Sequence, residues 1–201
     1  MRSNLRRTRR IDQSCDLLLV VIILSGWVLQ VGAQEEDRRI AEIRRLSTQV
    51  SEQIAESERN AEGSGVYCNE LVVNKGDKSW PAVGIYKTVF SFYYTFGDRE
   101  KDPYPNRLLK VTVTTNRSNR HEYAEFLFNP AGQLIFYFDK SEDGSQDRRY
   151  YFASNRLIRQ MRGERVVAMN AREALRVAKR VFSEEKKLKQ IFQLSLGSLI
   201  S

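Results

Sequence analysis

Three kinds of hydrophobic pattern follow one another along this chain. From Leu17 to Leu24 every residue is apolar, and the run continues through Trp27, Val28 and Leu29 to Val31-Gly32-Ala33. Between residues 36 and 61, Ile40, Ile43, Leu46, Val50 and Ile54 recur every three or four positions with Arg and Glu between them. That spacing predicts an amphipathic helix, which Gly63-Ser64-Gly65 ends. The same stripe would suit a coiled-coil seam, but it covers barely two heptads, so docking onto its own domain is the expectation. From Val66 to Met161 the period falls to two, and strands are predicted at 66–73, 83–96, 107–115, 122–129, 133–139, 148–153 and 156–161. Their connections are short and turn-like: Asn74-Lys75-Gly76-Asp77, Asn116 to Asn119, Asn129-Pro130-Ala131-Gly132, Asp143-Gly144 and Ser154-Asn155. The exception is Gly97 to Asn106, where Pro103 and Pro105 lack the amide donors a strand requires. Residues 170–192 return to helical spacing, with Asn170 and Glu173 placed as a capping box and Ala174, Leu175, Ala178, Val181, Phe182, Leu188 and Phe192 as the stripe. For Leu194 to Ser201 a frayed tail and an added strand remain open.

Consecutive strands joined by short turns pair with their neighbours. The expected fold is α+β: an N-terminal helix, an antiparallel β-meander of about seven strands, and a C-terminal helix packed on the sheet. Both helices are expected to cover one face.

The leading apolar run changes this picture. Arg2, Arg6, Arg7, Arg9 and Arg10 precede it, and Val31 and Ala33 put small side chains at the third-last and last places of a cleavage site before Gln34. The chain then reads as a signal peptide over 1–33 and one globular domain over 34–201, with its helix at 34–62, its meander at 66–161 and its second helix at 170–192. Secretion or delivery to the periplasm is expected; an uncleaved anchor is the alternative. Cys15 precedes the apolar core, which argues against acylation as a bacterial lipoprotein. The chain as a whole carries +8; without residues 1–33 it has 28 basic and 23 acidic side chains, a mild and mixed charge that gives little ground for nucleic acid. Only Cys68 then remains, so no internal disulfide can staple the domain. In its strand-like surroundings Cys68 is expected to be a small buried apolar side chain, with a reactive or dimer-forming thiol as the alternative.

Phe126-Leu127-Phe128-Asn129, a turn, and Gln133-Leu134-Ile135 are echoed by Tyr150-Tyr151-Phe152-Ala153, a turn, and Arg156-Leu157-Ile158. This unit resembles the aromatic–turn–Leu hairpins of MORN-variant repeat proteins. The resemblance covers 126–161, implies stacked hairpins and brings no activity with it. Two ordinary adjacent hairpins are the other reading.

Candidate chemistry is sparse. In Asp139-Lys140-Ser141-Glu142-Asp143-Gly144-Ser145-Gln146-Asp147, oxygen donors at Asp139, Ser141, Asp143, Ser145 and Asp147 follow the order of a calcium loop. The chelating Glu of that loop is replaced by Tyr150, and Asp143-Gly144 suits a hairpin turn, which is preferred. His121 is the only histidine and is expected on an exposed turn. In the strand at 83–96, Tyr86, Thr88, Phe90, Phe92, Tyr94 and Phe96 share one face, while Val83, Ile85, Val89 and Tyr93 make the other largely apolar. Such a strand lies deep in a core or lines an apolar cleft, with Tyr86, Phe90, Phe92 and Tyr94 as candidate ligand contacts. Phosphate-binding glycine loops, nucleophile elbows, His-Glu-x-x-His and cysteine pairs do not occur. Asn116-Arg117-Ser118 is a glycosylation sequon in a eukaryotic setting. The expected function is that of a non-catalytic secreted or periplasmic binding module without a cofactor. A carrier of an apolar or lipid-like ligand in a sheet–helix cleft is the alternative, and an unrecognised hydrolase is a third reading. Its partner would be another secreted or envelope protein, or an apolar small molecule. Neither nucleic acid nor a stable membrane span after signal cleavage is expected.

Overall fold

A computed structural model describes residues 13–60, 65–82, 84–96, 107–118, 120–141 and 146–197, without the side chains of 13–33 and 141. The chain divides into two compact units, Met1–Arg39 and Ile40–Ser201. Helix α1 spans Gln13–Arg59. In the first unit Glu35 accepts from Arg38 and Arg39, three and four residues on, and these bonds, that from Arg39 foremost, hold its carboxyl below the usual range. The second unit holds the Ile40–Arg59 part of α1 and all that follows.

Its strands are β1 (Tyr67–Val73), β2 (Ser79–Trp80), β3 (Gly84–Thr95), β4 (Arg107–Arg117), β5 (Arg120–Phe128), β6 (Leu134–Ser141), β7 (Arg148–Ala153), β8 (Arg156–Arg162) and β9 (Arg165–Val166), followed by α2 (Ala171–Leu196). They form an antiparallel meander in the order β1-β3-β4-β5-β6-β7-β8-β9, with β2 paired to β3. The seven predicted strands are all present, and β2 and β9 are two-residue additions that periodicity is too short to register. The turns follow local chemistry. Between β7 and β8, Ser154 and Asn155 both take positive φ, 50° and 58°, the signature of a two-residue primed turn. Between β5 and β6, Gly132 at φ 72° donates its amide to the Asn129 carbonyl at 2.8 Å.

Strands β5, β6 and β7 carry runs of consecutive apolar residues, Phe126-Leu127-Phe128, Leu134 to Phe138 and Tyr150-Tyr151-Phe152. Because neighbours point to opposite faces, such runs make the sheet apolar on both sides, and each side needs its own cover. The expectation that both helices share one face is therefore corrected. On one face Ala178, Val181, Leu188, Phe192 and Leu196 of α2 pack on Phe92, Tyr94, Val111, Phe126, Phe128, Tyr137, Tyr150 and Phe152. On the other, Ile40, Ile43, Val50 and Ile54 of α1 pack with Val66, Leu127, Phe136 and Tyr151.

The α1 side is also held by polar contacts. The buried Lys110 donates to Ser51 of α1 at 2.8 Å and pairs with the nearly buried Glu125 at 3.1 Å. Arg44 donates to the Tyr151 hydroxyl at 3.2 Å, and Ser57 to the Val66 carbonyl at 2.6 Å. Helix α2 starts at the predicted box, where Asn170 accepts from the Glu173 amide and Glu173 from the Asn170 amide. It runs past the expected end at 192, because Leu196 is still buried on the sheet.

Cys68 also departs from expectation. It is exposed, because β1 is the edge strand and pairs with β3 alone. Desolvation, with Glu70 and Glu58 nearby, pushes its thiol up to about 11, so it is protonated at neutral pH.

Candidate basic cleft beside the second helix

The α2 face carries a row of large buried rings: Phe92 on β3, Phe126 on β5, Tyr137 on β6 and Tyr150 on β7, in register with Val111 on β4. One pleat further along, the in-register row is Val113, Ala124, Asp139, Arg148 and Arg162. The aromatics give way to small and charged side chains, the floor drops, and an open cleft of about 960 Å³ lies between the sheet and Arg180 and Glu184 of α2. Alternation along the strands puts Arg117, Arg120, Glu122, Asp139, Arg148 and Arg162 on this face. Tyr123 and Lys140 border the cleft as well, but belong by register to the opposite face.

Five arginines therefore meet three carboxylates. Arg148 Nε donates to the buried Asp139 at 2.6 Å. This bond foremost keeps the guanidinium above its ordinary value. Arg117 and Arg120 share Glu122 at 3.9 and 3.8 Å, longer than a hydrogen bond. Arg180 stands 3.8 Å from Glu184 and 5.8 Å over the Tyr137 ring. Among the described residues, Arg162 forms no ion pair. Burial raises the Glu184 carboxyl above the usual range, against the pull of Arg180, with Asp139 raising it further and Lys187 lowering it. Burial first, then Asp139, raises the Tyr137 and Tyr150 hydroxyls, so both stay neutral donors. The site holds an excess of planar, forked donors over acceptors, which is the chemistry that recognises carboxylate and phosphate groups.

The four aromatic candidates lie elsewhere on the same face. Phe92 is 1 % exposed and stacks on Phe192 with ring centres 5.7 Å apart, and Phe192 also lies 5.3 Å from Tyr94. Tyr94 donates to Asn69 at 3.0 Å. Phe90 is half-buried against the same cluster. Tyr86 is tilted against Trp80 at 5.2 Å, with the Arg117 guanidinium 5.5 Å over its ring. The protein's own side chains thus occupy the space over Phe92 and Tyr94.

Of the calcium-loop candidates, Asp139 is committed to Arg148, and Asp147 lies 3.9 Å from Arg149. Asp143, Ser145 and the Ser141 side chain lie outside the described residues; β6 and β7 on either side pair as hairpin arms. Among the described residues no group of three or more His, Cys, Asp and Glu side chains converges as a metal ion would need. His121 is exposed and shares a 2.6 Å hydrogen bond with Asn116, the sequon asparagine.

None of the arginines of the cleft is among the site residues expected from the sequence; Arg117 figures there only as the middle of the sequon. A signal for two of them, and for Glu122, is present in parity: Arg148 alternates with Tyr150, and Arg120 and Glu122 with Ala124 and Phe126, so each continues a core-facing set into charge. Arg180 and Glu184 carry no such mark, because their meeting with the sheet depends on where α2 crosses it. No protein-family model, curated protein or solved structure matches this chain.

Proposed function

We propose that this protein is an exported, non-catalytic binding module whose ligand is an anion seated in the cleft beside α2. The observation that supports this reading is the arginine excess on one face: five guanidinium groups against three carboxylates, with Arg162 unpaired among the described residues and two arginines sharing Glu122 at long range. With Lys140 at the border, that surplus corresponds to three positive charges, which suits a ligand bearing several carboxylates or a phosphate. The Arg2–Arg10 and Leu17–Ala33 pattern supports export. The apolar-carrier reading has less support, because a ligand at Phe92 and Tyr94 would first have to displace Phe192.

Calorimetric titration of the protein with citrate and with inorganic pyrophosphate tests the proposal. Saturable binding of at least one anion, weakened at least about tenfold in Arg148→Ala/Arg162→Ala, is the expected result, the equivalent of about 1.4 kcal/mol. No binding of either anion, or binding unchanged in the double variant, overturns it.

A further inference from the structure

The outward side of α2 carries a second basic feature, separate from the cleft. Arg172, Arg176, Lys179, Lys186 and Lys187 are all exposed. At 3.6 residues per turn they fall within roughly 100° of arc, centred opposite Ala178, Val181, Leu188, Phe192 and Leu196, which face the sheet. They make one ridge, roughly 22 Å long at 1.5 Å per residue. Among the described residues Arg172, Arg176, Lys179 and Lys186 form no ion pair, and Lys187 feels Glu184 only at a distance. The other acids of the helix are engaged: Glu173 in the capping box and Glu185 with Lys189. Two leucines stand out on the same helix, Leu175 at 56 % exposure and Leu194 at 80 %, one toward each end of the ridge.

We infer that this ridge docks the protein on an anionic lipid surface, with phosphate headgroups as its counter-charges. Charge complementarity sets the class of partner: several unpaired cations in a row on a helix match a dense, repeating array of negative charge. The leucines decide between such arrays. A nucleic-acid backbone offers nothing to an exposed aliphatic side chain, whereas the headgroup–acyl boundary buries one favourably. Because the apolar stripe of α2 stays on the sheet, docking is peripheral, dominated by charge and therefore sensitive to salt. The inference does not depend on the cleft: four of the cleft's five arginines belong to the sheet strands, and Arg180 alone is on α2, outside the arc of the ridge.

The test uses the full chain with vesicles of phosphatidylcholine alone and of phosphatidylcholine with about a third phosphatidylglycerol. The Leu17–Val31 segment, with Arg2 to Arg10 before it, would add vesicle binding of its own, partly dependent on charge, so the readout is local: lysine acylation followed by mass spectrometry. Lys179, Lys186 and Lys187 are expected to be protected by the anionic vesicles only, and raised salt should remove the protection. Lys179→Glu/Lys186→Glu/Lys187→Glu should lose the charge-dependent part of vesicle affinity by on the order of a hundredfold, with an unchanged melting temperature. Arg148→Ala/Arg162→Ala, which disables the cleft, should bind vesicles as the parent does. Equal protection by neutral vesicles, no protection, vesicle affinity unchanged in the triple variant, or tighter binding to a DNA duplex than to anionic vesicles each overturns the inference. Loss of vesicle binding in the cleft variant would also overturn it, by placing the headgroup in the cleft.

Discussion

On the α1 side of the sheet the cover is a stripe of Ile40, Ile43, Val50 and Ile54, keyed to the strands by the buried Lys110 through Ser51 and Glu125. From Ile40 to Arg59 that helix carries four acidic and three basic side chains. On the α2 side the cover is aromatic, Phe192 on Phe92 and Tyr94 and Phe182 on Phe152, and the helix carries seven basic side chains against three acidic. The two covers do the same thermodynamic work by different means. One spends polar groups inward, where they fix the placement of a helix. The other also ties its helix to the sheet, with Lys189 donating to the Gly132 carbonyl and Ser195 accepting from Asn69, but keeps most of its charged groups outward and beside the helix. A buried charge pair gives placement more than net stability, since desolvation offsets much of its attraction. Exposed charges on the crest of α2 contribute little to stability.

The largest expected effect tests the aromatic cover. Phe92→Ala removes a fully buried ring under Phe192 and should lower the unfolding free energy by about 3–5 kcal/mol, read from denaturant melts. Wild-type stability would mean that α2 is not seated as described. The α1 side breaks differently. Lys110→Ala leaves Glu125 with the Tyr123 hydroxyl but no cation and should cost about 3 kcal/mol, whereas Lys110→Met/Glu125→Leu, which removes both charges, should recover most of that loss. A double variant as unstable as the single one would show that the pair stabilises the fold outright. Asn170→Ala removes one half of the capping box and should cost about 1 kcal/mol, with anion binding in the cleft unchanged.

The smallest effect concerns pH. The Glu184 carboxyl lies above its unfolded value, so its protonated form favours the folded protein; that contribution is present below the unfolded value and is lost as pH rises through the folded one. Facing it are Arg180, Asp139 and Lys187. Acidification just above the ordinary carboxylate range should slightly stabilise the protein and, by removing one negative charge from the cleft, strengthen anion binding. Glu184→Gln should flatten that step in a pH series of calorimetric titrations, and an unchanged slope would assign it to another group.

Sequence alone determined the elements of this protein. Alternating or short apolar runs between turn signals located every long strand, Asn170 with Glu173 located the start of α2, and Ser154-Asn155 located a turn whose two residues both take positive φ. These features are local: each depends on residues within a few positions of one another, and backbone geometry converts spacing directly into a face, a cap or a turn. The runs Phe126-Leu127-Phe128 and Tyr150-Tyr151-Phe152 make the sheet apolar on both sides, against the expectation that both helices cover one face. Tertiary structure decided the remainder. Cys68 became exposed because no strand lies beyond β1, a fact of strand order and not of its own neighbours. The cleft arose because a row of small and charged residues from five strands came into register beside Arg180 and Glu184, residues scattered between positions 113 and 184. Register and helix crossing are set by how both covers pack at once, and no window of sequence contains that information.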